Sequence, residues 1–221
     1  MILNVRKPRG MTSHDVVNRI RKITHEKRVG HAGTLDPFAE GVLIVAVGRE
    51  DTKKLAAIAK NTEKEYLATL ELGKTSTTGD PEGTIEIVSA AENLQAVSMG
   101  KIQEILLRFK GKIQQTPPSF SAIKVRGVAA YKRARRGEKV SLPSRAVTIY
   151  GIEIKDFTPP FLSLKITCSA GTYIRSLAKD VGDVLGVGAY LTNLKRTRVG
   201  EFEIEGSKTL EEIKSALQRT Q

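Results

Sequence analysis

Tryptophan is absent from this 221-residue chain, and cysteine occurs once. The single Cys168 excludes an intrachain disulfide framework and a cysteine-built zinc site. His14, His25 and His31 are the only histidines, and they lack the spacing of a histidine metal site with a carboxylate. The chain has no Walker A loop and no GxSxG elbow, so a P-loop nucleotide site and an α/β-hydrolase nucleophile are both excluded. Long apolar runs are missing as well. The longest, Val42–Val47, is far short of the roughly 20 residues that span a bilayer. No apolar core of a secretory signal follows Met1, and the expectation is a soluble, cytoplasmic protein without a membrane partner. Disorder is excluded too, because 40% of the residues are hydrophobic and 27% are charged. At about 100–200 residues per domain, the length suits one large domain or two small ones.

What the chain has in excess is positive charge: 36 Lys and Arg against 24 Asp and Glu, a formal net charge of +12. The excess is uneven. Residues 1–30 carry eight basic and two acidic side chains, and residues 101–145 carry twelve basic side chains against Glu104 and Glu138. Residues 61–100 have the opposite balance, with seven acids against Lys64 and Lys74. Two basic segments brought together would neutralise several phosphates, so the expected partner is a polyanion, with nucleic acid the leading class.

The periodicities read as an α+β fold on a mixed or mainly antiparallel sheet. Residues 13–24 place Val16, Val17, Ile20 and Ile23 at helical spacing, and Thr12 and Asp15 stand at capping-box distance. Residues 30–41, with glycines at both ends, Gly33 between them and Pro37, read as a loop before a buried strand at Val42–Val47. Thr52–Ala59 reads as a short helix, Tyr66–Leu72 and Thr84–Val88 as strands, and Lys74–Gly83 as an exposed loop. Ser98 caps a helix that presents Ile102, Ile105, Leu106 and Phe109, and Pro117-Pro118 breaks any helix after it. Val128–Arg136 reads as a basic helix stopped by Gly137. Val147–Ile154, Leu162–Cys168 and Ala189–Val199 read as strands. Gly171–Leu185 is a helix after a turn, ended by Gly186, and Thr209–Gln218 is a last helix with Glu212 at capping-box spacing.

Four segments have chemistry available to them. His31 and Asp36 lie in the Gly-containing stretch before the buried strand, where a carboxylate can serve as nucleophile or base. The same residues also fit an Asp-Pro turn beside a surface histidine. Ser169–Leu177 puts Tyr173 and Arg175 in the first turn of a helix. The helix dipole disfavours a cation there, which invites a carboxylate or phosphate partner for Arg175, while a solvated arginine at that position costs little. Tyr66 stands beside Lys64 on a strand, where core packing is the simpler explanation. Between Pro117 and Gly137, basic residues are interleaved with the aromatics Phe120 and Tyr131, which suits RNA through phosphate contacts and stacking and suits a solvated basic helix equally.

Taken in order, these segments resemble the bacterial tRNA pseudouridine-55 synthase family. Lys7-Pro8-Arg9-Gly10-Met11-Thr12-Ser13 resembles its N-terminal motif, and Val29–Pro37 followed by Gly41-Val42-Leu43 its catalytic-aspartate motif. Lys64-Glu65-Tyr66 resembles its tyrosine strand, and Cys168–Arg175 with Asp180, Gly182 and Gly186 its arginine motif. Gln115–Gly137 and Leu194-Lys195-Arg196 fit as well, so the likeness runs from about residue 2 to residue 202.

The resemblance implies the pseudouridine synthase fold, a long, mainly antiparallel sheet with flanking helices and a central RNA-binding cleft, in one catalytic domain over residues 1–221. Family members commonly add a C-terminal PUA domain, and the expectation is that this chain lacks it. The implied reaction moves the glycosidic bond of uridine 55 in the tRNA T-loop from N1 to C5, without cofactor or metal. The expected partner is the T-stem-loop of tRNA, with no obligatory protein partner and a monomeric protein.

By the same resemblance Asp36 is the essential carboxylate, attacking the sugar C1′ or taking a proton from C2′. Arg175 pairs with it, and Tyr66 stacks on the flipped uracil and helps remove the C5 proton. Tyr173 lines the pocket with Leu194 at its wall. His31 props the space vacated by the base, Lys7 supports the aspartate loop and Lys124 touches the RNA backbone. A guide-RNA-dependent synthase and a non-catalytic tRNA-folding protein are the competing readings.

Overall fold

The computed structural model describes residues 1–125 and 127–219. Arg126, one of the basic residues counted above, lies outside the described residues. In chain order the elements are β1 (Ile2–Lys7), α1 (Ser13–Thr24), β2 (Val29–Ala32), β3 (Glu40–Val47), α2 (Arg49–Asn61), β4 (Lys64–Leu72), β5 (Lys74–Ser76) and β6 (Ile85–Ile87). They continue with α3 (Ala91–Gln95), α4 (Met99–Arg108), β7 (Gly111–Gln115), β8 (Lys124–Val125), β9 (Val128–Ala129) and α5 (Ala130–Ala134). Then come β10 (Arg145–Thr158), β11 (Phe161–Cys168), α6 (Ile174–Leu185), β12 (Ala189–Val199), β13 (Phe202–Glu203) and α7 (Leu210–Gln218). This is the expected α+β class, with a mixed, mainly antiparallel sheet and flanking helices. Two compact units are present. The first comprises Met1–Leu67, Ile166–Ala170 and the described residues from Asn193 onward; the second comprises Ala68–Lys165 and Gly171–Thr192.

In the first unit the strand order is β1–β3–β12–β4–β11, with β2 also on β3 and β13 on β12. Strand β3 is the hub. Leu43, Val45 and Val47 face a core built with Val16, Val17 and Ile20 of α1 and Leu210 and Ile213 of α7. Val42 and Ile44 face the other side, where Leu55 and Ile58 of α2 pack. Burial on both faces is the reason the segment reads as an unbroken apolar run rather than an alternation. Helix α1 starts at a capping box: the Asp15 amide donates to Thr12 Oγ1 at 3.0 Å, and the Thr12 amide donates to Asp15 Oδ2 at 2.9 Å. Thr209 and Glu212 repeat the arrangement at α7. Each such cap stabilises its helix by about 1 kcal/mol.

In the second unit the order is β12–β4–β11–β10–β7. Ser98 caps α4, whose Ile102, Ile105 and Leu106 are buried, and α4 packs on α6 and β10. Helix α6 ends at Gly186 in the left-handed conformation, as the sequence predicts.

Several expectations are corrected. Residues 30–41 are not all loop, because β2 pairs antiparallel with β3, Gly30 opposite Ala46 and His31 opposite Val45. Pairing to a buried strand overrides the low strand propensity of that pair. Lys74–Gly83 is not wholly an exposed loop either: β5 pairs with β6, and Asp80 is only 3% exposed. The basic helix expected over Val128–Arg136 shrinks to Ala130–Ala134, since Val128 and Ala129 pair with Val125 and Lys124 instead. Strand β7 and helix α3, for which no periodicity was evident, are also present.

Candidate active site

The first unit contains the aspartate segment. Asp36 is half-buried in the turn between β2 and β3. The backbone on either side of it is fixed by side chains that reach in from distant elements. Ser13 Oγ, 2% exposed, accepts from the Leu35 amide at 2.9 Å and donates to the Leu35 carbonyl at 3.0 Å. Lys7, fully buried, donates to the carbonyls of Pro8 at 2.9 Å, Met11 at 2.6 Å and Pro37 at 3.4 Å. Arg196, 1% exposed, donates through Nη2 to the Gly33 carbonyl at 2.9 Å and through Nε to the Val42 carbonyl at 2.8 Å.

Arg196 gets this close because β12 and β3 run parallel there, with Arg196 opposite Gly41. A Cβ on Gly41 would lie 2.2 Å from the Arg196 carbonyl oxygen, and its φ is +112°, so only glycine fits.

Tyr66 and Lys64 sit in the same unit. Tyr66 is 6% exposed. Burial pushes its hydroxyl pKa up and the Asp36 carboxylate adds to the rise, while the Arg196 guanidinium bonds to the hydroxyl and opposes it. The net effect is upward, so Tyr66 is a neutral phenol at ordinary pH. Lys64, 5% exposed, donates to the carbonyls of Ala59 at 3.2 Å and Thr62 at 3.1 Å, at the C-terminal end of α2. Burial, with the charge of Arg196 second, lowers its pKa to about 8.

His31 is half-buried on β2. Burial, then the charges of Arg196 and His14, lower its pKa, so it is neutral above mild acidity. Leu194 is 5% exposed on β12, two residues before Arg196. The geometry of this unit brings together a half-buried carboxylate on a pinned turn, a dry neutral phenol and a neutral imidazole.

The second unit contains the arginine turn. Arg175 is buried in the first turn of α6, where a cation calls for partners, and it has them. Nη1 donates to the Thr78 carbonyl at 2.8 Å and Nη2 to the Phe120 carbonyl at 2.8 Å. Asp80 Oδ2 lies 3.3 Å from Nη1, and both side chains are 4% exposed. Asp80 is itself held by Thr78 Oγ1 at 2.5 Å and the Glu82 amide at 3.0 Å.

Tyr173 is the N-cap residue of α6 and has no side-chain cap bond. The Gln115 carboxamide takes its amide at 2.7 Å and gives to its carbonyl at 3.0 Å. The Arg145 guanidinium stacks 4.9 Å from the Tyr173 ring centroid and also donates to the Gly171 carbonyl. Lys124 is exposed on the two-stranded ribbon β8–β9 that leads into α5, where Arg135 lies over Tyr131 at 5.7 Å.

Sequence reasoning placed Ser13, Gln115 and Arg196 within matching motifs without assigning them a role, and it did not single out Asp80. Asp80 had a signal, since it is an acid in a Thr- and Gly-rich segment, but that composition reads as solvent-exposed. Among the described residues, no cluster of three metal-ligating side chains occurs, and no helix is long and apolar enough to cross a membrane.

Known proteins match closely. The description "TruB family pseudouridylate synthase (N terminal domain)" fits residues 21–174, and "tRNA pseudouridylate synthase B C-terminal domain" fits residues 175–221. A tRNA pseudouridine synthase B of Streptomyces coelicolor is 46% identical over 222 residues, covering 96% of this chain and 72% of that protein. The protein of the same name from Caldanaerobacter subterraneus subsp. tengcongensis is 47% identical, covering 96% of this chain and 73% of its own length. Among solved structures, a chain of a Cbf5–Nop10–Gar1 complex aligns with TM-score 0.74 at 33% identity over 97% of this chain. An H/ACA RNP bound to a substrate RNA aligns with TM-score 0.70 at 30% identity over 97% of this chain. This chain spans about half the length of those two, 53% and 52%. With a family match over most of its length and relatives this similar, the chain belongs to the TruB family of pseudouridylate synthases.

Proposed function

We propose that this protein converts uridine 55 in the T-loop of tRNA to pseudouridine, in the cytoplasm, with residues 1–221 acting as one catalytic domain and as a monomer that needs no protein partner. The observation that carries the reading is identity of 46–47% across 96% of the chain to proteins named tRNA pseudouridine synthase B. The reaction is an isomerisation. The N1–C1′ bond breaks, a C5–C1′ bond forms, and the C5 proton leaves while N1 gains one. The target base must leave its stack, because C1′ and C5 are otherwise out of reach.

Asp36 supplies the carboxylate, by attack at C1′ or by proton removal at C2′. The pinned carbonyls on both sides of it support this role, since a reacting group must be held within a fraction of an ångström. Tyr66 stacks on the uracil, and its raised pKa favours a neutral phenol for that role over a base that takes the C5 proton. Arg175 orients the carboxylate, an assignment that rests on family resemblance. Tyr173, Leu194 and His31 contact the nucleotide, and Lys124 contacts the backbone of the RNA. No cofactor enters.

The alternative is a guide-RNA-dependent synthase, a reading favoured by the likeness to a chain of an H/ACA RNP bound to a substrate RNA. One assay separates the two. Pure protein is incubated with an unmodified tRNA transcript, and pseudouridine is mapped by carbodiimide primer extension. A stop at the T-loop uridine that disappears in Asp36→Asn, a loss of at least about 10²–10⁴-fold, is the expected result. Product only on addition of guide RNA overturns the reading in favour of the alternative. A tRNA-folding effect with no product in wild type points to a non-catalytic protein.

A further inference from the structure

We propose that Gln115 is a positioning residue for this reaction, and that its carboxamide, bonded to both backbone groups of Tyr173, sets where Tyr173 and Arg175 point. The inference rests on the roles given above to those two residues. Gln115 is the last residue of β7 and is 1% exposed, so water does not compete for its bonds. A carboxamide presents one acceptor and one donor in a plane, as a peptide group does. It therefore pairs with Tyr173 as a neighbouring strand would, at 2.7 and 3.0 Å, where α6 has no side-chain cap of its own.

The residue opposite Gln115 in the β7–β10 register is Arg145. Arg145 stacks on the Tyr173 ring and donates to the Gly171 carbonyl. The pair thus holds residue 173 by its backbone from one strand and by its ring from the other.

The chain that leaves Gln115 continues the same task. The Thr116 carbonyl accepts from Ser176 Oγ at 2.8 Å, and the Phe120 carbonyl accepts from Arg175 Nη2 at 2.8 Å. Residues 115–120 are therefore a platform bonded to three residues of one helical turn, 173, 175 and 176. Gln115 has no titratable group and cannot act as acid or base. Its contribution is placement, and a displacement of about 1 Å at a catalytic turn costs about 10²-fold in rate.

The test is Gln115→Met, which keeps the length and removes both bonds. Single-turnover rate with saturating protein is expected to fall roughly 10–100-fold, with tRNA Kd within about threefold of wild type. Amide hydrogen exchange should quicken across 172–178 and stay unchanged in α1 and α7. Ile102→Ala in α4 is the stability control, since it loosens the core of the same unit and should keep the wild-type rate at temperatures where it is folded.

A folded Gln115→Met with wild-type rate overturns the proposal. So does a loss of rate, affinity and global protection in step with the control. Should Gln115→Met not fold, Ser176→Ala removes the neighbouring bond alone and should show a severalfold rate loss with the same local exchange. Wild-type rate and exchange there overturn the proposal equally. Wild-type protein that makes no pseudouridine sinks the functional reading, and the exchange measurements, which need no activity, then decide whether Gln115 holds the turn.

Discussion

The aspartate turn and the arginine turn are immobilised by similar bonds used in opposite senses. Around Asp36, side chains from elsewhere hold the backbone: Ser13 holds Leu35, Lys7 holds Pro37 and Arg196 holds Gly33. Around Arg175, the arginine side chain itself reaches out to the carbonyls of Thr78 and Phe120 and to Asp80. The difference follows from side-chain length. An aspartate has two torsions, so fixing its backbone nearly fixes its carboxylate. An arginine has four and loses up to about 2 kcal/mol of rotamer entropy when it is ordered, so its head must be held directly. Gln115 completes the second arrangement by holding the backbone from which Arg175 starts.

The sharpest way to break this comparison is Arg175→Lys. A lysine has no planar fork to satisfy two carbonyls and a carboxylate together. Turnover should fall about 10²-fold while tRNA affinity changes far less. Equal losses in both would make Arg175 chiefly a phosphate contact, and the contrast between the turns would lapse.

The next effect is a pH signature on the aspartate side. Lys64 is a buried cation there, and its pKa falls from 10.5 to about 8 on folding. Between those values the unfolded chain holds a proton that the folded chain has released, so unfolding takes up a proton. Raising the pH across that window therefore favours the folded state, by on the order of 1 kcal/mol per pH unit. Urea denaturation from pH 8 to 10.5 should show this slope in wild type and lose it in Lys64→Met. Identical slopes would mean that Lys64 keeps its proton in the folded protein.

The smallest effect concerns Lys124, which is exposed on the β8–β9 ribbon. Lys124→Ala should weaken tRNA binding only severalfold and reduce the slope of log K against log salt by about 1. It should leave the single-turnover rate intact. A rate loss comparable with that of Arg175→Lys would place Lys124 at the reaction rather than on the RNA backbone.

What was legible in the sequence was local. The capping boxes at Thr12 and Thr209, the stop at Gly186 and the bounds of α1 and β12 follow from residues within one or two turns of each other. The double-sided burial of β3 was legible as an unbroken apolar run. Strand β2 was not, because Gly30 and His31 give no strand pattern, and the partner β3 decides their conformation. The burial of Asp80 was hidden for a related reason. Its segment has the composition of a solvated loop, and the buried cation that balances its charge, Arg175, lies far along the chain.

By itself the sequence determined the fold class, the motif residues Asp36, Tyr66 and Arg175 and the basic character of the chain. Tertiary structure alone decided who holds them: Arg196 on Gly33, Ser13 on Leu35, Asp80 and Phe120 on Arg175, Gln115 on Tyr173. Most of these bonds end on a peptide carbonyl or amide. Nearly every residue supplies both groups, so no residue type announces which of them will be used, and the choice falls to the packing that brings a buried donor within reach.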